Sequence, residues 1–249
     1  MMREFRAGLL GWPVSHSLSP AIHSFFLQHF EIEGTYGLYP AEPEKLATFV
    51  TELGRMHFTG LNVTVPHKIA AMKLCSSLSA SAESAGAVNT LVFGSEGIRG
   101  YNTDIIGFRA MIRDLPPPFF VLGRGGAAAA AFAALNSLEV ILLARGDAIP
   151  ETNRSAPGTV VNATPLGWKD DDVFPLDIPE GWCFADLNYN PGWKWRNCLS
   201  TQVITGEKML VEQAAESFRL WTGYTPGEKL KTEVLERIRK KLHENKDNQ

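Results

Sequence analysis

The sequence predicts an α/β fold in two parts, an N-terminal α/β unit followed by a Rossmann-like unit. Three observations lead there. Short apolar runs alternate with helical patterns through the first hundred residues. Pro116, Pro117 and Pro118 then form a stiff break that suits a domain entry. Beyond the break, an apolar run, a glycine-rich turn, an alanine-rich helix and a second apolar run make a β-α-β unit.

The elements follow in order. Arg6 to Leu10 reads as a strand that ends in a Gly-Trp-Pro turn. Pro20 suits the first turn of a helix, where a missing N–H costs nothing, with Ser19 as its N-cap. Ile22, Phe25, Phe26 and Phe30 give that helix an apolar face. Phe58 to Val65 is rich in β-branched residues and reads as a strand; Pro66 breaks it, and a helix carrying Lys68 is expected next. Ala87 to Phe93 and Gly97 to Tyr101 read as a hairpin. Phe119 to Gly123 is a continuous apolar run of the kind found in buried parallel strands, and Glu139 to Leu143 is its partner. Thr159 to Val161, Cys183 to Leu187 and Gln202 to Ile204 supply further strands. From Lys208 the chain reads as helical, and Leu230, Val234, Leu235, Ile238 and Leu242 place an apolar stripe on a final amphipathic helix.

Composition narrows the function classes. The chain has 249 residues and a formal net charge of -3, which argues against a nucleic-acid partner because such partners select a basic field. Arg237, Arg239, Lys240 and Lys241 are interleaved with acidic residues and read as a solvated helix face. The three cysteines, Cys75, Cys183 and Cys198, are far apart, so a reducing compartment, the cytoplasm, is expected. The six histidines show no metal-ligand spacing, and no metal is expected. No membrane partner is expected either: Arg3, Glu4 and Arg6 interrupt any signal-peptide pattern, and the alanine run from Ala127 to Ala134 is too short to span a bilayer.

The run Gly123-Arg124-Gly125-Gly126-Ala127 lies between a buried strand and a helix. Small residues let the backbone approach a pyrophosphate, and a helix N-terminus offers it free N–H groups and partial positive charge. The same run would also serve a tight strand–helix crossover, but the order of strand, glycines and helix favours a nucleotide. At the end of the second strand an NAD site usually carries Asp or Glu for the ribose 2′-hydroxyl. Ala144, Arg145 and Gly146 stand there instead, and an arginine at that point pairs with a 2′-phosphate, which favours NADP.

Polar residues gather where strands end in the first part. Ser15, His16, Ser17 and Ser19 precede the first helix, Asn62, Thr64 and Lys68 flank Pro66, and Asn89, Asn102, Thr103 and Asp104 lie at and after the hairpin. Each has a plain alternative, such as a helix cap or an Asx-turn. Together they offer the partners that a hydroxylated, carboxylated ligand requires when buried.

These stretches resemble the shikimate dehydrogenase family, its quinate-using relatives included. The resemblance rests on Ser15-His16-Ser17-Leu18-Ser19-Pro20, on Gly60-Leu61-Asn62-Val63-Thr64-Val65-Pro66-His67-Lys68 and on Gly86-Ala87-Val88-Asn89-Thr90. It continues through Gly100-Tyr101-Asn102-Thr103-Asp104, Asn162-Ala163-Thr164-Pro165 and the segment from Gly206 through Met209, Leu210, Gln213 and Phe218 to Trp221. The resemblance implies a substrate domain over residues 1–104, an NADP-binding Rossmann-like domain over 105–205, and C-terminal helices over 206–249 that pack back toward the substrate domain. It implies reversible reduction of 3-dehydroshikimate to shikimate with NADPH, a step of chorismate and aromatic amino-acid biosynthesis, by a monomer or homodimer.

The implied roles attach to matching positions. Lys68 and Asp104 match the catalytic pair. Ser17 and Ser19 match the hydroxyls that hold the substrate carboxylate, with Tyr189 a third donor, and Asn62, Thr64, Asn89 and Gln213 match the groups that bind the ring hydroxyls. Gly123, Arg124, Gly125, Gly126 and Ala127 match the phosphate loop, Arg145 the adenosine-phosphate contact, and Thr164, Gly206 and Met209 the nicotinamide side. Chemistry supports the first pair. Hydride arriving at a ketone leaves an alkoxide, and with no metal a side chain must donate the proton and stabilise the charge. A lysine ammonium does both, and Asp104 is cast as the group that orients it.

The nucleotide half departs from the family pattern. Only Gly146 to Gly158, which includes Pro150 and Pro157 and has no helical periodicity, separates the second strand from Asn162-Ala163-Thr164. The expectation is that an edge strand and its helix are missing, leaving a shallower adenosine pocket. Arg124 stands where the family has a small residue, and Ala144-Arg145-Gly146 replaces Asn-Arg-Thr. Two other readings are quinate dehydrogenase activity, which Ser19 and the lack of an acidic NAD signal oppose, and a non-catalytic shikimate sensor, which Lys68 and Asp104 oppose.

Overall fold

A computed structural model describes residues 4–135, 140–144, 146–151, 156–190, 193, 196, 199 and 201–247. The chain forms two sheets. The first is built from β1 (Phe5–Gly11), β2 (Gly34–Pro40), β3 (Gly60–Val63), β4 (Ser77–Leu78), β5 (Thr90–Gly94) and β6 (Gly97–Tyr101), in the order β2-β1-β3-β5-β6-β4. Strands β1, β2 and β3 run parallel, while β5 is antiparallel to both β3 and β6. Helices α1 (Ser19–His29), α2 (Leu46–Arg55) and α3 (Ala80–Ala85) belong to the same stretch of chain.

After α4 (Asp104–Ile112) the second sheet begins. It comprises β7 (Phe119–Leu122), β8 (Val140–Leu143), β9 (Thr159–Asn162), β10 (Cys183–Asp186) and β11 (Gln202–Thr205), with α5 (Gly126–Leu135) between β7 and β8. All neighbours are parallel, in the order β11-β10-β9-β7-β8. β7, β9 and β10 are buried along their whole length, as a parallel sheet covered on both faces requires. β8 is one of the two edges, and its Leu142 is 51% exposed. Between β8 and β9 the described residues carry neither an α-helix nor a strand.

The chain closes with α6 (Glu207–Thr222) and α7 (Glu228–Asp247). Val211, Phe218 and Trp221 of α6 and Leu230, Val234 and Ile238 of α7 bury against Phe5 of β1 and Ile22 and Phe26 of α1. Burying each such side chain is worth about 1.5–3 kcal/mol, so this cluster fastens the last helices onto the first sheet. The Trp221 Nε1 donates to the Leu91 carbonyl at 3.0 Å. A Cβ on Gly60 would lie 2.1 Å from that nitrogen, so only glycine fits there.

Two expectations are corrected. Lys68 does not lie on an α-helix: it sits in a turn just before a 3-10 helix, Ala70–Leu74. Tertiary bonds claim that turn. The Val88 amide donates to the Lys68 carbonyl at 2.8 Å, and His67, buried, donates from Nε2 to the Ala41 carbonyl at 2.8 Å. Ser19 is the first helical residue of α1, not its N-cap; Leu18 holds the cap position without a side-chain bond. The Ser17 hydroxyl receives the Ser19 amide at 3.2 Å and donates to the Ser19 hydroxyl at 3.1 Å, which turns Ser19 away from capping.

Candidate active site

Lys68 and Asp104 meet at 2.7 Å through Nζ and Oδ2, with side chains 14% and 6% exposed. Each is held from behind. Asp104 opens α4, where the helix N-terminus favours a carboxylate. The two residues before it are locked to the hairpin: Asn102 donates from Nδ2 to the Ala87 carbonyl at 2.9 Å, and the Thr103 amide donates to Asn89 Oδ1 at 2.7 Å. An ammonium has three N–H donors. Among the described residues Asp104 is the one partner of Lys68 Nζ, so two donors remain for a ligand.

The amide side chains named above lie close by. Asn89 is buried, takes the Thr103 amide and hydroxyl on Oδ1 and donates from Nδ2 to Thr103 Oγ1 at 3.0 Å. Gln213 of α6 donates from Nε2 to the Leu210 carbonyl at 2.9 Å and turns Oε1 toward Thr103. Asn62 differs: its Oδ1 accepts from the Tyr36 hydroxyl at 2.8 Å, and its Nδ2 is surrounded by Asn89 O, Thr90 Oγ1 and Ser217 Oγ at 2.9–3.2 Å. Both its N–H groups serve the protein. Thr64 follows β3 half-buried, its hydroxyl without a side-chain partner among the described residues.

Ser17 and Ser19 form the hydroxyl pair already described, backed by Tyr36 of β2. Tyr189 follows β10 and packs edge-on to Trp168 and against the core behind α1. Burial, reinforced by the Glu207 carboxylate, pushes its phenol up to about 12, so it stays a hydrogen-bond donor at neutral pH. Tyr36 and Ser217 carry no site signal that sequence reasoning used. Tyr36 lies in a strand masked by glycines, and Ser217 stands one helical turn after Gln213, the one sequence signal that marks it.

The glycine-rich turn leads into the N-terminus of α5. Gly123 has φ of +139°, and a Cβ there would stand 2.7 Å from the Ala163 carbonyl oxygen, so glycine is required. Gly125 has open space where a side chain would be, and the first amides of α5 have no intrahelical acceptor. This is a cradle that fits an anionic phosphate. Arg124 is exposed beside it. Arg145 lies outside the described residues.

A buried relay supports the loop after β9. Asp186, fully buried at the end of β10, pairs with Arg196 and accepts from Asn162 Nδ2 at 2.9 Å. Asn162 Oδ1 in turn accepts the Thr164 hydroxyl at 2.6 Å and the Thr164 amide at 3.1 Å. Burial pushes the Asp186 carboxyl up to about 6, and Arg196 is the largest influence pulling it back. Asn188 joins this loop to α6: its Nδ2 donates to the Thr164 carbonyl at 3.2 Å, and its carbonyl accepts the Gly206 amide at 3.3 Å. A Cβ on Gly206 would meet the Leu187 carbonyl oxygen at 2.1 Å.

Close packing brings these groups to one place. A Cβ on Gly107 of α4 would lie 2.5 Å from the Met209 carbonyl oxygen and 3.1 Å from Gln213 Cβ, so α4 and α6 touch through backbone. Gly126 lies against Lys68. The lysine, the carboxylate, the amides and the phosphate cradle thus lie next to one another. Among the described residues no cluster of His, Cys, Asp or Glu is placed to hold a metal ion, and no helix is long and apolar enough to cross a membrane.

Two α/β units meeting at a lysine–carboxylate pair, with a glycine cradle on one side, define the class of two-domain α/β dehydrogenases. Residues 9–91 match the family model for the shikimate dehydrogenase substrate binding domain, and residues 206–230 match the shikimate 5'-dehydrogenase C-terminal domain. The NADP(+) shikimate dehydrogenase of Acidiphilium cryptum is 37% identical over 251 residues, covering 88% of this chain and 91% of that one. The shikimate 5-dehydrogenase of Thermus thermophilus, solved in complex with NADP(H) and shikimate, superposes with a TM-score of 0.83 at 35% identity, covering 94% of this chain and 99% of that one. The structure of shikimate dehydrogenase from Aquifex aeolicus also gives a TM-score of 0.83, at 26% identity over 94% of this chain and 98% of that one. The chain belongs to the shikimate dehydrogenase family.

Proposed function

We propose that this protein catalyses the reversible, NADP-dependent reduction of 3-dehydroshikimate to shikimate in the cytoplasm. The observation that carries the reading is the Lys68–Asp104 pair packed against the first residue of α5, where a phosphate cradle adjoins a proton donor. The names of the relatives and the bound NADP(H) and shikimate of the Thermus protein support it.

In this reading Lys68 donates a proton to the carbonyl oxygen as it becomes a hydroxyl, and Asp104 holds the ammonium in line. NADPH, when bound, supplies the hydride. Asn89, Gln213 and Thr64 bind the ring hydroxyls, with Asn62 bonded behind them to Tyr36, the Asn89 carbonyl and Ser217. Ser17, Ser19 and Tyr189 receive the substrate carboxylate. Gly123, Arg124, Gly125, Gly126, Ala127 and Arg145 hold the phosphates, and Thr164, Gly206 and Met209 line the nicotinamide side. The corresponding domains are residues 1–104, 105–205 and 206–249, in a monomer or homodimer.

The test is to follow reduction of NADP and of NAD with shikimate and with quinate. NADP reduction by shikimate at the highest kcat/KM of the four is expected. Shikimate binding without any nucleotide reduction would overturn the reading in favour of a sensor.

A further inference from the structure

Ser217 lies on α6 and is completely buried. Its hydroxyl oxygen stands within hydrogen-bond distance of four groups. These are Asn62 Nδ2 at 2.9 Å, Thr90 Oγ1 at 2.8 Å, Thr103 Oγ1 at 3.1 Å and the Gln213 carbonyl at 3.0 Å. They come from β3, β5, the turn before α4 and α6, so one atom joins these four segments.

Proton accounting fixes two of these bonds. A serine hydroxyl has one proton and two lone pairs. Asn62 Nδ2 can only donate and the Gln213 carbonyl can only accept, so Ser217 donates to Gln213 O and accepts from Asn62. Its second lone pair is open to the Thr90 and Thr103 hydroxyls, either of which can donate to it. Backbone groups set which way the two amides face: the Thr103 amide donates to Asn89 Oδ1 at 2.7 Å, and Gln213 Nε2 donates to Leu210 O at 2.9 Å. Thr103 Oγ1 accepts from Asn89 Nδ2 at 3.0 Å and lies 3.5 Å from Gln213 Oε1. With Gln213 Oε1 turned toward Thr103 and one N–H given to Leu210 O, a single Gln213 N–H is left over. Asn89 likewise has one N–H left after Thr103.

We propose that Ser217 is a positioning residue: by tying Asn62, Thr90 and Thr103 to α6, it holds Asn89 and Gln213 where each presents its remaining N–H to the substrate. Ring oxygens at those two points then act as acceptors. The role rests on the proposed dehydrogenase reading, in which the two amides bind the ring hydroxyls.

The experiment uses the full-length protein, with NADP and shikimate as substrates. Ser217→Ala removes the hydroxyl, and Ser217→Cys keeps the volume with a weak hydrogen-bonding group. Both are expected to raise KM for shikimate about tenfold, the equivalent of one well-placed hydrogen bond, with kcat and KM for NADP within about twofold. A packing role alone would give a Cys variant indistinguishable from wild type, and that result overturns the proposal. Thr90→Val and Thr90→Ser repeat the test from the other side of the cluster should the Ser217 variants not fold. The valine variant is expected to raise KM for shikimate and the serine variant to restore it; equal KM in the two overturns the proposal. Absence of NADP reduction by the wild-type protein would be a failure of the dehydrogenase reading itself, visible before any variant is made.

Discussion

Gly126, at the start of α5, lies directly against the stem of Lys68. A Cβ on Gly126 would stand 3.1 Å from Lys68 Cβ and 3.2 Å from Lys68 Cδ. The residue that opens α5 therefore packs on the stem of the proposed proton donor.

Gly126→Ala should consequently separate stability from activity. Alanine is the better helix former by roughly 1 kcal/mol, so the melting temperature should hold or rise. The added methyl pushes the lysine stem aside by a few tenths of an ångström, and turnover should fall about 3- to 30-fold, since small misplacements of reacting groups cost up to about 10²-fold. Gly126→Val should cost more turnover. Thermal melts and steady-state rates on the same preparations check both; an alanine variant with full turnover would show that the contact is slack.

Lys68→Ala removes the proposed proton donor itself. Turnover should drop by roughly 10²- to 10⁴-fold, the usual span for lost general acid–base catalysis, with a smaller change in shikimate affinity. Asp104→Asn keeps the shape but removes the charge that holds the ammonium at 2.7 Å. Its turnover should fall too, by less than that of Lys68→Ala. Near-normal turnover in Lys68→Ala, measured as NADP reduction by shikimate, would remove the lysine from the mechanism.

Asn162 offers a test confined to the nucleotide side. Its Oδ1 holds both the amide and the hydroxyl of Thr164, and its Nδ2 donates to Leu166 O at 2.8 Å and to Asp186. Asn162→Ala cuts the loop away from the buried Asp186–Arg196 pair. KM for NADP should rise by about tenfold, on the scale of one or two lost hydrogen bonds, while KM for shikimate stays within about twofold. Equal increases for both substrates would mean that the relay supports the whole cleft and not the nicotinamide loop alone.

The candidate site groups are legible in the sequence because they are local: Asn62, Thr64 and Lys68 share one strand and turn, and Asn102, Thr103 and Asp104 are consecutive. What it conceals depends on contacts between distant segments. β2 is hidden because Gly34, Gly37 and Pro40 look like breakers; in the fold Gly37 pairs with Gly8, and the Tyr39 ring fills the space their missing side chains leave. The turn at Lys68 reads as helix because Pro66 commonly precedes one, whereas bonds from Val88 and to Ala41 hold it otherwise. No local pattern ties Ser217 to Asn62, 155 residues away. That the described residues between β8 and β9 carry neither an α-helix nor a strand agrees with the absent periodicity there, which is itself a local signal.

His23 gives a prediction about acid stability. It lies fully buried in α1, stacked on Tyr36 with ring centroids 4.1 Å apart and edge-on to Phe26, and among the described residues neither ring nitrogen has a hydrogen-bond partner. Burial holds its imidazole down to about 3, with Asn62 pulling weakly the other way. The folded protein thus keeps His23 neutral, while the unfolded chain takes up a proton below the ordinary value of about 6.5. Below that pH the unfolded state binds more protons, so stability falls as pH drops from about 6.5 toward 3. Between pH 7 and pH 5 the loss from this one residue is about 2 kcal/mol. His23→Phe removes the titration and keeps a ring against Tyr36. Denaturant unfolding of both proteins at pH 7 and pH 5 isolates the effect, because every other group is shared. The wild-type protein should lose about 2 kcal/mol more than the variant across that interval, whatever the offset between them at pH 7. Equal losses would mean that His23 is already paired or protonated in the folded chain.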